Sequence, residues 1–374
     1  MSAVSSSTAT YLDRIDRARS RMNEAGIDVL LVSVGRDLPY LTGYEAMPLE
    51  RLTMLVVPKD GDATLVVPRM EAPRVVEQPG VFTLLRWNET DDPVSLVAGL
   101  VGQPATAAIG DTMWARFLVD LLGYWPSTST HYLRSVEVMN ALRMRKDAAE
   151  IAALADAGAA VDRIAADLQA GRIPLVGRTE ADVSADLGRR ILGEGHQRVN
   201  FAIVAAGENA ASPHHHASDR VINDGEILLC DFGGTMNGYC SDITRCVFLG
   251  EPPSEVAEAY AVLHEAQRAA VLAGTVGTPC EEVDRVARKI ITDAGYGEYF
   301  MHRTGHGIGM EEHEDPYMVE GNGLPLEPGH AFSVEPGIYL PNRWGMRLED
   351  IVVATTDGPV AVNDANHELV TVDA

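Results

Sequence analysis

Between Glu226 and Phe248, two apolar, β-prone runs flank a Gly-Gly pair at 233–234 and the dipeptide Asn237-Gly238. That pattern predicts a β-hairpin, because Asn and Gly reach the positive backbone φ that tight hairpin turns need. A hairpin here commits the chain to an antiparallel sheet and carries two carboxylates into it. Asp231 follows the run Ile227-Leu-Leu-Cys230 and is expected to lie deep. The midpoint between Asp231 and Asp242 falls inside the turn, so the two are predicted to face each other directly. Carboxylates so placed repel unless a cation sits between them or one is protonated. The alternative is a pair of solvated turn aspartates, since Asp is common near turns.

Further donors follow in the same half of the chain. The stretch His302-Arg-Thr-Gly-His306-Gly-Ile-Gly-Met-Glu-Glu-His313 has glycines at 305, 307 and 309, which exclude a stable helix and predict a His-bearing loop with closely packed backbone. It is no dinucleotide fingerprint, as no strand leads in and no helix pattern follows. Nor does it hold the HExxH of a helical single-zinc site. Glu335 ends the apolar run Ala331-Phe-Ser-Val at a Pro-Gly turn. Arg347 and Glu349 stand two apart and are predicted to share one strand face, the arginine either orienting a ligating carboxylate or forming an ordinary salt bridge. Asp231, Asp242, His306, Glu335 and Glu349 together offer four carboxylates and one imidazole. Such a hard, negative donor set suits two divalent ions, Mn²⁺ or Co²⁺ first and Zn²⁺ after them. The chain therefore reads as a two-metal hydrolase.

The remaining sequence places these segments in a fold. An amphipathic helix is predicted near Tyr11 to Ala25, closed by Gly26, then short strands at 29–32, 53–57 and 64–67 alternating with helices, which makes an α/β N-terminal domain over 1–135. The turn-rich stretch Gly123 to Thr130 is either a linker or a surface loop. Helices at 146–169 and 180–192, a strand at 199–204, the hairpin, helices at 254–273 and 281–294 and closing strands make an α+β domain over 140–374. Lys plus Arg total 30 against 54 Asp plus Glu, a net charge of −24 that disfavours nucleic acid and anionic membrane as partners. The segment Met1 to Thr10 lacks the basic and apolar regions of a secretory leader, and no apolar stretch is long enough to span a bilayer, so a cytoplasmic protein is expected. Cys230, Cys240, Cys246 and Cys280 have no CxxC spacing and read as buried thiols.

The order and spacing of these motifs resemble the pita-bread metallopeptidases, in particular the Xaa-Pro dipeptidases (prolidases) and aminopeptidases P. The resemblance rests on the first Asp, a second eleven residues on in Ser-Asp-Ile-Thr-Arg, His in Gly-His-Gly-Ile-Gly, Glu in Val-Glu-Pro-Gly and Glu in Arg-Leu-Glu-Asp. It extends to the first domain, where Asp37-Leu-Pro-Tyr-Leu-Thr-Gly43 is similar to that family's N-domain motif. The resemblance implies an α/β N-terminal domain and a pita-bread (creatinase/aminopeptidase-like) catalytic domain whose sheet curves around the site. It implies that Asp231 ligates one metal, that Asp242 and Glu349 bridge, and that His306 and Glu335 ligate the other. A hydroxide held between the metals would attack the scissile carbonyl, with Glu335 relaying the proton. His214 and His313 match substrate-contacting histidines, His302 a further site histidine, and Arg347 a residue orienting the ligands.

The implied substrates are proline-containing di- or oligopeptides, and the implied assembly is a homodimer. A dipeptidase must hold a free carboxylate, for which arginine's planar fork is the usual solution. Tyr317 stands where some prolidases carry that arginine, leaving Arg303, Arg343 or a residue of a partner subunit to serve. The alternatives are an aminopeptidase P acting on longer peptides and a non-catalytic binding protein on the same fold. The run His214-His215-His216 also reads as a solvated or adventitious metal tract, so only His214 is carried over.

Overall fold

The computed structural model describes residues 7–373; segment 1–6, read above for a leader, lies outside the described residues. The chain divides after Arg143 into two compact units. The first comprises α1 (Thr8–Ala25), β1 (Val29–Val32), α2 (Asp37–Thr42), β2 (Met54–Pro58), β3 (Thr64–Pro68), β4 (Thr83–Trp87), α3 (Pro93–Val101), β5 (Thr106–Ile109), α4 (Ala115–Tyr124), β6 (His131–Arg134) and α5 (Val136–Arg143). Ser7 caps α1 by accepting from the Thr10 amide, and Gly26 ends it at φ 67. Its buried stripe includes Tyr11, Ile15, Ala18 and Met22. The strands form one mixed sheet in the order β4-β3-β2-β1-β5-β6. The Gly123 to Thr130 stretch ends α4 with Gly123 and Tyr124 and then runs as a loop to β6 within this unit, so it is not a linker.

The second unit contains α6 (Ala148–Gln169), α7 (Glu180–Gly193), β7 (Arg198–Ala206), β8 (Ile227–Met236), β9 (Tyr239–Cys240), β10 (Ile243–Leu249), α8 (Ser254–Ala273) and α9 (Cys280–Asp293). Then come β11 (Gly305–Gly307), β12 (Glu314–Met318), β13 (Ala331–Val334), β14 (Gly337–Leu340), β15 (Trp344–Arg347), β16 (Asp350–Thr355), β17 (Gly358–Ala361) and β18 (Val370–Val372). One sheet runs β18-β10-β8-β7 with β9 on β8, a second β12-β11-β13-β16-β17, and β14 pairs β15. A single bridge between Thr244 and Glu349 joins the first sheet to the start of the second.

Strand alternation decides what each face carries. On β8, Leu228, Cys230 and Phe232 pack on Val161 and Ile164 of α6 and Val183 and Leu187 of α7. Ile227 and Leu229 point the other way, into a core shared with α8 and α9. Asp231 has the parity of Leu229 and so lies on that inner face.

Three local expectations are corrected. Asn237 (φ 52) and Gly238 (φ 85) form a two-residue turn, with Met236 opposite Tyr239. That centre is one position later than expected, so Asp231 faces Thr244 across the ladder instead of Asp242. Asp242 sits in the break between β9 and β10. The His306 segment is a strand rather than a loop. Its glycines are steric, since a Cβ at Gly305 would lie 1.8 Å from the Ser333 carbonyl and one at Gly307 2.3 Å from that of Asp315. Finally, Arg347 ends β15 whereas Glu349 precedes β16, so they do not share a strand face.

Candidate metal centre

The strand register assembles the site as a row. Ile203 pairs with Asp231, Asp231 with Thr244, and Thr244 with Glu349, so these side chains stand side by side on the inner face. His306 enters from the second sheet and Glu335 from the end of β13. All five proposed ligands, with His214, His302, His313 and Arg347, line one cleft of about 530 Å³. Phe201, Ile203 and Pro213 form an apolar wall of it. Glu312 also lines the cleft. Asp350 turns away, accepting from Arg245 at 2.8 Å and Gln267 at 2.8 Å.

The donor chemistry fits a cation. Asp231 Oδ1, Asp242 Oδ1 and Glu349 Oε1 are buried and accept no hydrogen bond within the protein, although buried polar atoms are nearly always paired. One donor atom each from Asp242, His306 and Glu349 lies within 4.8 Å of the others. His306 Nδ1 lies 3.0 Å from the Gly307 carbonyl and Nε2 lies 3.1 Å from Glu335 Oε1, so the imidazole and that carboxylate converge on one point.

Electrostatics give the same answer. Burial, then the charges of Glu349, Asp231 and Glu335, push the Asp242 carboxyl far above the ordinary carboxylate range. Burial followed by Glu335 and Asp231 does the same to Glu349. Burial also raises Asp231, against the opposing pull of Arg347. Glu335 differs: burial would raise it, but the hydrogen bond and charge of His306, with His302 and Arg347, hold it at about 2. Arg347 is the resident cation, 3% exposed. It is paired with Asp231 and 4.0 Å from Glu335.

Two residues not singled out from the sequence complete this wall. Thr244 donates to Glu349 Oε2 at 2.6 Å and receives Arg347 Nε at 3.2 Å. The Tyr339 hydroxyl receives Arg347 Nη1 at 2.8 Å and meets His302 Nε2 at 2.9 Å. Their signal was present, since Thr244 is two residues past Asp242 and Tyr339 closes the Pro-Gly-Ile-Tyr strand; neither carries a metal-ligand side chain, so neither drew notice.

Fold and donor set together define a metal-dependent enzyme of the pita-bread class. Residues 146–356 match Metallopeptidase family M24, and residues 14–122 match the Creatinase/Prolidase N-terminal domain. The chain belongs to metallopeptidase family M24. It is 46% identical over 370 residues to a probable dipeptidase PepE of Mycobacterium tuberculosis, covering 97% of this chain and 96% of that one. It is 36% identical to an Xaa-Pro dipeptidase of Lactobacillus helveticus, covering 92% of this chain and 95% of that one. The crystal structure of dipeptidase PepE from Mycobacterium ulcerans superposes with a TM-score of 0.93 at 45% identity, covering 98% of this chain and 99% of that one. Among the described residues, no helix is long and apolar enough to cross a membrane.

Proposed function

We propose that the protein is a two-ion Xaa-Pro dipeptidase. The observation that carries this reading is the set of three buried, unpartnered carboxylate oxygens, two of those residues clustering with His306, at a cleft of peptide size. Asp231 would hold one ion, His306 and Glu335 the other, with Asp242 and Glu349 shared. Mn²⁺ is the first candidate and Co²⁺ or Zn²⁺ the alternatives. Bound there, such ions supply Lewis-acid polarisation of the substrate carbonyl and lower the pKa of water near neutrality.

The protein's own groups do the rest. Glu335, kept ionised by its neighbours, accepts a proton and returns it to the leaving nitrogen. Burial, reinforced by His306, lowers His313 to about 4, so its ring is neutral at pH 7 and can donate to the developing oxyanion alongside His214. His302, tied through Tyr339 to Arg347, holds that arginine toward Asp231 and Glu335. Phe201, Ile203 and Pro213 offer an apolar face to a pyrrolidine ring. Four buried free thiols support a reducing, cytoplasmic setting. The homodimer rests on the resemblance.

The dipeptidase choice depends on a carboxylate clamp, and Arg303 supplies it. Its guanidinium lies 4.2 Å above the Tyr317 ring and reaches His313 Nδ1 at 3.3 Å, inside the cleft. Arg343 is engaged by Glu255 at 2.7 and 2.6 Å, away from the cleft. Tyr317 thus braces the arginine instead of replacing it. Arg303→Ala should lower kcat/KM for Ala-Pro by about tenfold to a hundredfold, in line with a lost charge-assisted hydrogen bond. Ala-Pro amide, which has no carboxylate, should be cleaved slowly and equally by both proteins. Equal losses on the two substrates would remove Arg303 from this role, and preferred cleavage of Ala-Pro-Ala by the unaltered protein would make it an aminopeptidase P.

The raised carboxyl pKa values have a consequence for stability. Asp242 and Glu349 bind protons more tightly folded than unfolded, so in ion-free protein their contribution is fully present below about pH 4 and is lost as pH rises toward their raised values. Bound Mn²⁺ offsets that loss. Calorimetry with chelator or with Mn²⁺ should show a gain in Tm on loading that widens between pH 5 and pH 8; a gain independent of pH would contradict the assignment.

A further inference from the structure

Of the three consecutive histidines, the first lines the cleft and the other two do not. After the turn at Pro213-His214, His214 and His216 are exposed and His215 is half-buried. His215 Nε2 meets Glu180 Oε2 at 2.8 Å. Glu180 opens α7, and its side chain is fully buried. The same carboxylate accepts from the Ala206 amide at 2.8 Å, from Asn209 Nδ2 at 3.0 and 3.2 Å, and from the Ser218 amide at 3.1 Å and hydroxyl at 2.6 Å. Every one of those donors lies between residues 206 and 218, the connection that leaves β7 and carries Pro213 and His214 into the cleft. Its far side is pinned too, since Arg347 Nη1 donates to the Pro213 carbonyl at 3.3 Å and a Cβ at Gly345 would lie 1.9 Å from that of Ala210.

We propose that Glu180 and His215 are positioning residues for His214: the buried carboxylate fastens the connection at four points, and His215 fixes the rotation of the chain that turns His214 into the cleft. Burial would raise Glu180, but the hydrogen bonds from Ser218, Ala206 and His215 outweigh it and keep the carboxyl below its ordinary range, so the anchor is an anion at neutral pH. Charge-assisted bonds of this kind are shorter and roughly twice as strong as neutral ones. Without His215, Asn209, Ser218 and the Arg347 contact to the Pro213 carbonyl still hold the connection, but the residue after His214 loses its anchor, which lets His214 turn out to solvent. The three histidines are therefore not equivalent.

The proposal rests on His214 contacting the substrate, and the experiment separates the two ideas. The kcat for Ala-Pro is measured for the unaltered protein, His214→Ala, His215→Ala, His215→Gln and the double alanine variant, each loaded with Mn²⁺ and checked for fold by circular dichroism. His215→Ala should lose about tenfold to a hundredfold in kcat, the scale usual for residues that orient a site group, with bound Mn²⁺ unchanged. His215→Gln, which can still donate to Glu180, should recover most of it. The double variant should be no slower than His214→Ala, because His215 has nothing left to position. Losses that multiply in the double variant, full activity in His215→Ala, or failure of the Gln variant to recover would each overturn the positioning role. Full activity in His214→Ala would instead overturn the substrate contact on which it rests.

Discussion

Asp242→Asn should lose bound metal and turnover together, with Ala-Pro hydrolysis falling on the order of a thousandfold, since ions at such a site supply several kcal/mol of transition-state stabilisation. Asp242 is 4% exposed, and its Oδ1 has no partner within the protein. An amide there is nearly the same shape but carries no charge. In protein stripped of metal, the sign of the stability effect should reverse. Burial and the charges of Glu349, Asp231 and Glu335 make an ionised Asp242 unfavourable, so stripped Asp242→Asn should melt higher than stripped unaltered protein at pH 8. Joint loss of metal and activity with a gain in stability of the ion-free fold is the combination that a cation site predicts. Two ions per chain and full turnover in the variant would refute the assignment.

Arg347→Leu should destabilise the ion-free protein by about 3–5 kcal/mol, the scale for removing one partner of a buried ion pair. Arg347 is the buried counter-charge to Asp231 and stands beside Glu335. It also satisfies the Tyr339 hydroxyl and the Pro213 carbonyl. Leucine fills part of the volume and leaves carboxylates that repel one another. Loading with Mn²⁺ should return part of the loss, because the ions neutralise the same charges. Urea unfolding with and without metal measures both quantities; a loss below about 1 kcal/mol, the level of a surface pair, would contradict this role.

The hairpin, the helices and the five donors were legible because each rests on local chemistry. A continuous apolar run sets β8, and Asp231, Asp242, His306, Glu335 and Glu349 are residue types with few other uses next to apolar strands. What the sequence hid was registry. Moving the turn centre by one position placed Thr244 opposite Asp231, and only that register reveals the row from Ile203 to Glu349. Arg347 and Glu349 looked like neighbours on one face because nothing local marks the strand break at Leu348. The choice between Arg303 and Arg343 depended on Glu255, 88 residues from Arg343. Glu180 was invisible for the same reason, its partners lying 26 to 38 residues away.

Hydrolysis should follow the number of bound ions directly. Chelator-stripped protein would be titrated with Mn²⁺ while bound metal is read by elemental mass spectrometry and Ala-Pro cleavage by product mass spectrometry. Turnover should be absent without metal and should rise to a plateau at two ions per chain. Undiminished cleavage by fully stripped protein, or two bound ions with no cleavage, would contradict it.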